Sequence, residues 1–174
     1  MYTPKRILQK ILTGALLLAL AMCATVFIRE NMDVKDPEQA LPSFSILVND
    51  EVRITEHSIL RAGYEWNFMT TVAKDTPVYT SSQIRSLIYP VDLPPSSRLV
   101  LEFSTKPKTL RVQRAPGADL QQFVELADVS DGTLVAPSQP GLYLYQVECG
   151  FGWRGSIRYF FLVRVQQMDT TDSK

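Results

Sequence analysis

Pro140-Gly-Leu-Tyr-Leu-Tyr-Gln-Val-Glu-Cys149-Gly-Phe-Gly-Trp-Arg-Gly155-Ser-Ile-Arg-Tyr-Phe-Phe-Leu-Val-Arg-Val165 alternates with a period of two in both halves, and a glycine-punctuated turn joins them. The pattern predicts a β-hairpin. In its second half Ile157, Tyr159, Phe161, Val163 and Val165 share one face, whereas Ser156, Arg158 and Arg164 lie on the other with Phe160 and Leu162 among them. One face is core and the other mixed. In the first half Tyr143, Tyr145, Val147 and Cys149 share a face, and aromatic and β-branched residues suit a pleated, half-buried surface.

Working outward, similar short runs recur. Ser43–Val48 and Glu51–Thr55 flank an Asn49-Asp50 turn, as an opening hairpin would. Arg61–Phe68 places Tyr64, Trp66 and Phe68 on one side and Glu65 and Asn67 on the other, a strand carrying a buried core tryptophan. Leu99–Phe103 and Leu110–Val112 alternate around the Ser104–Lys108 loop, which predicts a second hairpin with a basic turn. Phe123–Ala127 and Thr133–Ala136 are shorter candidates separated by Ser130-Asp131-Gly132, a turn signal. From Lys74 to Pro95 the period is lost and Pro77, Pro90, Pro94 and Pro95 accumulate, the mark of a long connection from one sheet to another, with room for one helical turn at Ser81–Leu87. No internal repeat is present. Many short strands with few helical signals predict an all-β fold, an antiparallel β-sandwich.

The amino terminus differs in kind. Lys5, Arg6 and Lys10 precede an uncharged run from Ile11 to Ile28, closed by Arg29, Glu30 and Asp33. At about 1.5 Å per residue the run covers about 27 Å, close to a bilayer's hydrocarbon thickness, which predicts a single transmembrane helix. Three fates compete for it: a retained anchor, a cleaved signal using Ala19 or Ala21, and lipidation at Cys23 within Leu20-Ala21-Met22-Cys23, where Met22 departs from the small residue a lipoprotein box uses. Retention fits the length and flanks best, because Val26-Phe27-Ile28 stays apolar where a cleaved signal turns polar. The basic flank predicts a cytoplasmic amino terminus, with the rest outside the cell membrane. The chain then divides into a cytoplasmic tail 1–10, the transmembrane helix or signal anchor 11–28, a proline-bearing juxtamembrane linker 29–42, the β-sandwich 43–166 and a disordered tail 167–174.

Composition bounds the function. With 45% hydrophobic and 21% charged residues the chain has an ordinary globular balance. Setting aside the three basic residues ahead of the helix, the remainder holds three more acidic than basic residues, so nucleic acid is not an expected partner. The partners to expect are the membrane itself and an envelope protein or cell-wall polymer. Cys149 lies in phase with Tyr145 and Val147, as a buried small hydrophobe does, so no disulfide is expected inside the outer domain.

Catalytic and metal signatures are sparse. His57 is the only histidine and no paired cysteine motif occurs, so neither a metal nor a cofactor is expected. A Cys149–His57 nucleophile–base pair would need an exposed thiol. Nucleophile elbows, phosphate-cradling loops and dinucleotide fingerprints are missing, because the glycines of Gly150–Gly155 lie between strands and open no helix. Scattered carboxylates such as Asp75, Asp92 and Asp131 would serve an envelope hydrolase only if the fold gathered them. Gly14, Ala15, Ala19 and Ala21 would let the helix pack against another in a membrane complex, the role of an accessory or sensor subunit. The leading expectation is a non-catalytic binding or assembly module. Its candidate partner-binding residues are Phe151, Trp153 and Arg154, types enriched at interaction hot spots and placed in a hairpin loop. Lys106-Pro107-Lys108, with Arg111 and Arg114 beyond, is a further basic surface toward anionic lipid or wall polymer.

Gly141-Leu142-Tyr143-Leu144-Tyr145 resembles the Gly-x-Tyr-x-Tyr segment of immunoglobulin-like and fibronectin-like domains. The resemblance implies that Tyr143 bonds back to the backbone as a tyrosine corner and that Trp66 is the core tryptophan. Tyr145 stands where an antibody-type cysteine would be, so that subfamily is excluded. Anchor and outer domain together also resemble membrane-anchored extracytoplasmic proteins of Gram-positive bacteria, which implies an architecture but no activity.

Overall fold

The structure, a computed structural model, describes residues 4–32, 37–68, 71–127, 129 and 131–167. The expected disordered tail falls, from residue 168 on, outside the described residues, as do positions 1–3 of the basic tail, 33–36 of the linker and Ser130 of the turn.

Helix α1 spans Pro4–Met32. Its apolar stretch, Leu8–Ile28, is 21 residues long with mean hydropathy 2.5 and none of it buried, so it is long and apolar enough to cross a membrane. The stretch begins ahead of the expected Ile11 and takes in Gln9 and Lys10, because one polar and one charged residue are outweighed by the long apolar run that follows. Thr13 and Thr25 return their hydroxyls to the carbonyls of Gln9 and Ala21, so neither leaves a polar group unmet on the apolar rod. A short turn of helix, α2, occupies Pro37–Ala40.

The β body is mostly strand. Eleven are described: β1 (Phe44–Val48), β2 (Val52–Ile54), β3 (Ile59–Asn67), β4 (Val72–Asp75), β5 (Val91–Leu93), β6 (Arg98–Phe103), β7 (Thr109–Pro116), β8 (Val124–Glu125), β9 (Thr133–Val135), β10 (Gly141–Gly150) and β11 (Gly155–Val165), with α3 (Ser81–Leu87) between β4 and β5. They form a small sheet in the order β2-β1-β6-β9 and a large one in the order β4-β3-β11-β10-β7-β8, in which β5 also pairs with β11. All pairings are antiparallel except β5 with β11.

The quoted hairpin is β10 and β11, paired from Gly141↔Val165 to Gly150↔Ser156, and it is the centre of the large sheet. The opening hairpin forms as β1 and β2 around a three-residue loop, Asn49–Glu51, in which Asn49 and Asp50 are both at positive φ, a backbone that Asn and Asp tolerate. The second expected hairpin does not form. β6 pairs with β1 and β9 in the small sheet, and β7 with β10 and β8 in the large one, so the basic Ser104–Lys108 loop carries the chain between sheets. The long connection after Lys74 does lead from the large sheet to the small one, from β4 to β6, but it holds α3 and also β5, which pairs with β11 before the chain crosses. Helix α3 is closed at its start by a capping box in which Gln83 N–H donates to the Thr80 hydroxyl and Thr80 N–H to the Gln83 side chain.

The inner faces of the two sheets supply the main core: Ile46, Val48 and Leu99 from the small sheet, Val112, Val147 and Phe161 from the large one, all almost fully buried. Phe44 of β1 lies against Tyr159 of β11 with ring centroids 4.8 Å apart, which joins the sheets. Tyr145 stacks on Phe161, its cross-strand partner, at 4.7 Å. A second core lies on the opposite face of the large sheet, where Phe160, Leu162 and Leu144 are covered by Ile84 of α3, by Ile88 just past its end and by Ala118.

Candidate functional site

The outer face of the large sheet is built in cross-strand rows, because opposed residues share a face. One row reads Thr109, Gly150, Ser156, Glu65, Lys74 and the next Arg111, Glu148, Arg158, Gly63. The row after these holds Gln113, Gln146 and Phe160, and from Phe160 onward the apolar positions are the ones that α3 covers. The first two rows are left open and line a concavity of about 480 Å³. Gly63, Gly150 and Ser156 give it a floor without bulk, and charged side chains rim it. The pairing of β3 with β11 slips between Arg158 and Tyr159, which inserts Ala62 as a bulge beside Gly63, and bulges re-aim neighbouring side chains.

The rim is an ordered series of alternating charge. Arg158 Nε donates to Glu148 Oε1 at 3.1 Å, Arg111 lies 4.0 Å from the other oxygen of Glu148, and Arg111 donates to Glu125 at 2.7 Å. The hydrogen bond with Glu125, and then its charge, raises the Arg111 pKa, and the same bond holds the Glu125 carboxyl below its usual value. Gln146 Nε2 donates to both Gln113 Oε1 and Glu148 Oε1, which fixes Glu148 from a third side. Lys74 holds Glu65 at 2.9 Å across the other row. The arrangement presents oriented, mutually held charges to a polar partner.

A second concavity, about 390 Å³, lies at the end of the body where β6 and β7 are joined. Leu101, Phe103 and Leu110 give it an apolar wall, and Lys106, Lys108 and Asp131 charge its mouth. The hairpin loop adjoins it, for Lys108 N–H donates to the Gly150 carbonyl, and the Lys108 side chain lies across Gly152 where a β-carbon would meet its Cδ and Nζ at 3.0 Å.

The three loop candidates separate here. Phe151 turns inward, 5% exposed, with its ring edge-on to Trp66 at 5.3 Å, so its place is in the core and not at the surface expected of it. Trp153 is 56% exposed and the Arg154 guanidinium lies over its ring at 4.6 Å. Of the residues read as structural, Trp66 and Tyr145 are buried, while Tyr143 is half-buried and its hydroxyl donates to the Gln139 carbonyl at 3.0 Å, the backward bond expected of it.

The catalytic candidates are not gathered. His57 is exposed in a short turn, while Cys149 is buried and burial pushes its thiol up to about 12, the reverse of an activated nucleophile. Asp92 is held by Arg164 at 3.3 Å, Asp131 accepts from the Thr133 N–H, and Asp75 stands opposite Tyr64. Among the described residues no three His, Cys, Asp or Glu side chains converge as metal ligands would. The charged rows were missed from sequence because their partners come from β3, β7, β10 and β11, and only the Glu148↔Arg158 opposition could be read from a single hairpin.

No protein-family model, curated protein or solved structure matches the chain.

Proposed function

We propose that the chain is a non-catalytic, membrane-anchored module whose outer body binds a protein or envelope polymer through the open half of its large sheet. The observation that carries this reading is the glycine-floored concavity with Arg111, Glu148 and Arg158 opposed across it. Exposed ion pairs contribute little to stability, so a network of this order supports recognition better than it supports folding. Charges already oriented by their neighbours also lose less freedom on meeting a partner.

The anchor is α1, and the basic residues ahead of it favour an extracytoplasmic body on the cell membrane, as in the membrane-anchored proteins of Gram-positive bacteria that the chain resembles. For the body we propose a sandwich related to the immunoglobulin-like domains, supported by the Tyr143 bond and the buried Trp66. Its strand order departs from theirs, since the Trp66 strand lies beside the last strand, β11, and not beside the penultimate one.

The test is photo-cross-linking from position 156 in the full chain in its native membrane, with and without Arg111→Glu and Arg158→Glu. A discrete adduct that disappears in the double variant is expected. Adduct formation unaffected by reversing both charges removes this face from the account.

A further inference from the structure

The tether and the hairpin loop meet at one end of the β body. The chain joins the body at Leu41–Ser43, and there Ser43 and Ser104 exchange two bonds, Ser104 N–H to the Ser43 carbonyl at 3.0 Å and Ser43 N–H to the Ser104 hydroxyl at 2.9 Å. Ser104 opens the loop that carries Lys106 and Lys108, and Lys108 rests on Gly152 next to Trp153. The point at which the chain from α1 enters the body is therefore on the same end as two lysines, an exposed tryptophan and the apolar-walled concavity that the lysines line. Ile28 and Ser43 are only fifteen residues apart in sequence, so the connection from α1 enters the body at the end that carries these residues.

The chemistry of that end matches an interface. Among the described residues neither Lys106 nor Lys108 has an ion-pair partner, although other basic side chains of the body do, as in Arg53–Glu102, Lys74–Glu65, Arg98–Asp50 and Arg164–Asp92. Asp131 is the carboxylate of the cavity wall, and one of its oxygens is taken by the Thr133 N–H. Trp153 is amphipathic and solvent-facing, and tryptophan with lysine is the combination that settles at headgroup level. Leu101, Phe103 and Leu110 behind the lysines suit the glycerol and first methylenes of a lipid below its charged head.

From this we infer that the tethered end of the β body docks on anionic lipid headgroups, with Lys106 and Lys108 on phosphate and Trp153 at the interface. The inference rests on α1 being the membrane anchor. Docking holds the body down on the bilayer and leaves the charged rows of the large sheet open for a partner.

The experiment uses the full chain in lipid nanodiscs of phosphatidylcholine alone or with about a third phosphatidylglycerol, with brominated acyl chains to quench tryptophan. Trp153→Phe isolates the signal of Trp66, which is buried. Quenching of Trp153 is expected in the anionic discs and not in the neutral ones. Each lysine near an anionic surface multiplies the docked-to-undocked ratio about fivefold, so Lys106→Gln with Lys108→Gln lowers it about 25-fold, as high salt does for the parent chain. Trp153 unquenched in anionic discs, with the chain still held in them, overturns the docking and leaves the anchor standing. Quenching equal in neutral and anionic discs overturns the role of the lysines. A chain that fails to enter the discs overturns the anchor reading itself. Loss of a defined protein adduct in the lysine variant, with no quenching in either disc, would give this end to a protein and overturn the lipid assignment.

Discussion

The hydroxyl of Tyr159 donates to the carbonyl of Pro42 at 2.9 Å, which ties the first residues of the β body to its last strand across 117 positions of sequence. The bond is buried and lies beside the Phe44–Tyr159 ring contact, so the tether is fastened to the central strand of the large sheet. Tyr159→Phe keeps the ring and leaves the Pro42 carbonyl without this donor. A loss of about 1–3 kcal/mol in unfolding free energy is expected, read by urea denaturation of the full chain in detergent. An unchanged midpoint would show that water replaces the hydroxyl at no cost.

Alkaline pH acts on the same core. Burial, and after it Glu148, pushes the Cys149 thiol from 9.0 up to about 12. Burial likewise pushes the Tyr159 hydroxyl from 10.0 up to about 12, with Arg61 acting in the opposite sense. Both groups are neutral when protonated and the folded chain keeps those protons longer, so their stabilisation is complete below pH 9 and is lost as pH rises toward 12. Within each group's window the loss is about 1.4 kcal/mol per pH unit. Cys149→Ala should flatten the fall of stability that begins near pH 9, and Tyr159→Phe the part that begins near pH 10. Equal slopes in parent and double variant between pH 8 and 11 would refute the assignment.

What could be read in advance follows from the range of the interactions. Alternation is local, so β10, β11, β1, β3 and the Asn49-Asp50 turn were legible, as was the apolar helix. Pairing is not local. Leu99–Phe103 and Leu110–Val112 look like two arms of one hairpin, yet Leu99 finds Val48 and Val112 finds Val147, because each arm's apolar face fits a different sheet. Phe160 and Leu162 gave β11 a face that is apolar in the middle and charged at both ends, a sign that something covers part of it. That cover, Ile84 and Ile88, belongs to the helical turn expected at Ser81–Leu87 and its end, whereas the prolines around Val91–Leu93 hide the strand β5. Phe151 sits next to two glycines and reads as loop, but Trp66, far off in sequence, gives its ring a place in the core.

The cover itself is testable. Ile84 is fully buried on Phe160 and Leu162 through a helix of only seven residues, too short to persist without that contact. Ile84→Ala should cost about 2–4 kcal/mol from lost burial and the cavity left behind. Thr80→Ala, which removes the capping hydroxyl, should cost about 1 kcal/mol. Urea midpoints in the opposite order would mean that α3 is held by its cap and not by the sheet beneath it.

The hairpin loop that presents Trp153 depends on one glycine. Gly155 has φ +115°, a conformation that side chains rarely adopt, and a β-carbon there would run into the Glu65 carbonyl of the adjoining strand. Gly117 offers the comparison, since it has φ +62° with nothing near its absent side chain. Gly117→Ala should therefore cost only the backbone term, about 1 kcal/mol. Gly155→Ala adds a steric conflict with backbone that cannot swing aside, and must separate β11 from β3 at Trp66 or unfold the turn. A loss several-fold larger than that of Gly117→Ala is expected, together with a red-shifted Trp66 emission as water reaches the strand pair. Similar losses for the two alanines, with Trp66 emission unmoved, would mean that the β3–β11 contact at Glu65 is slack and that the loop's geometry is set elsewhere.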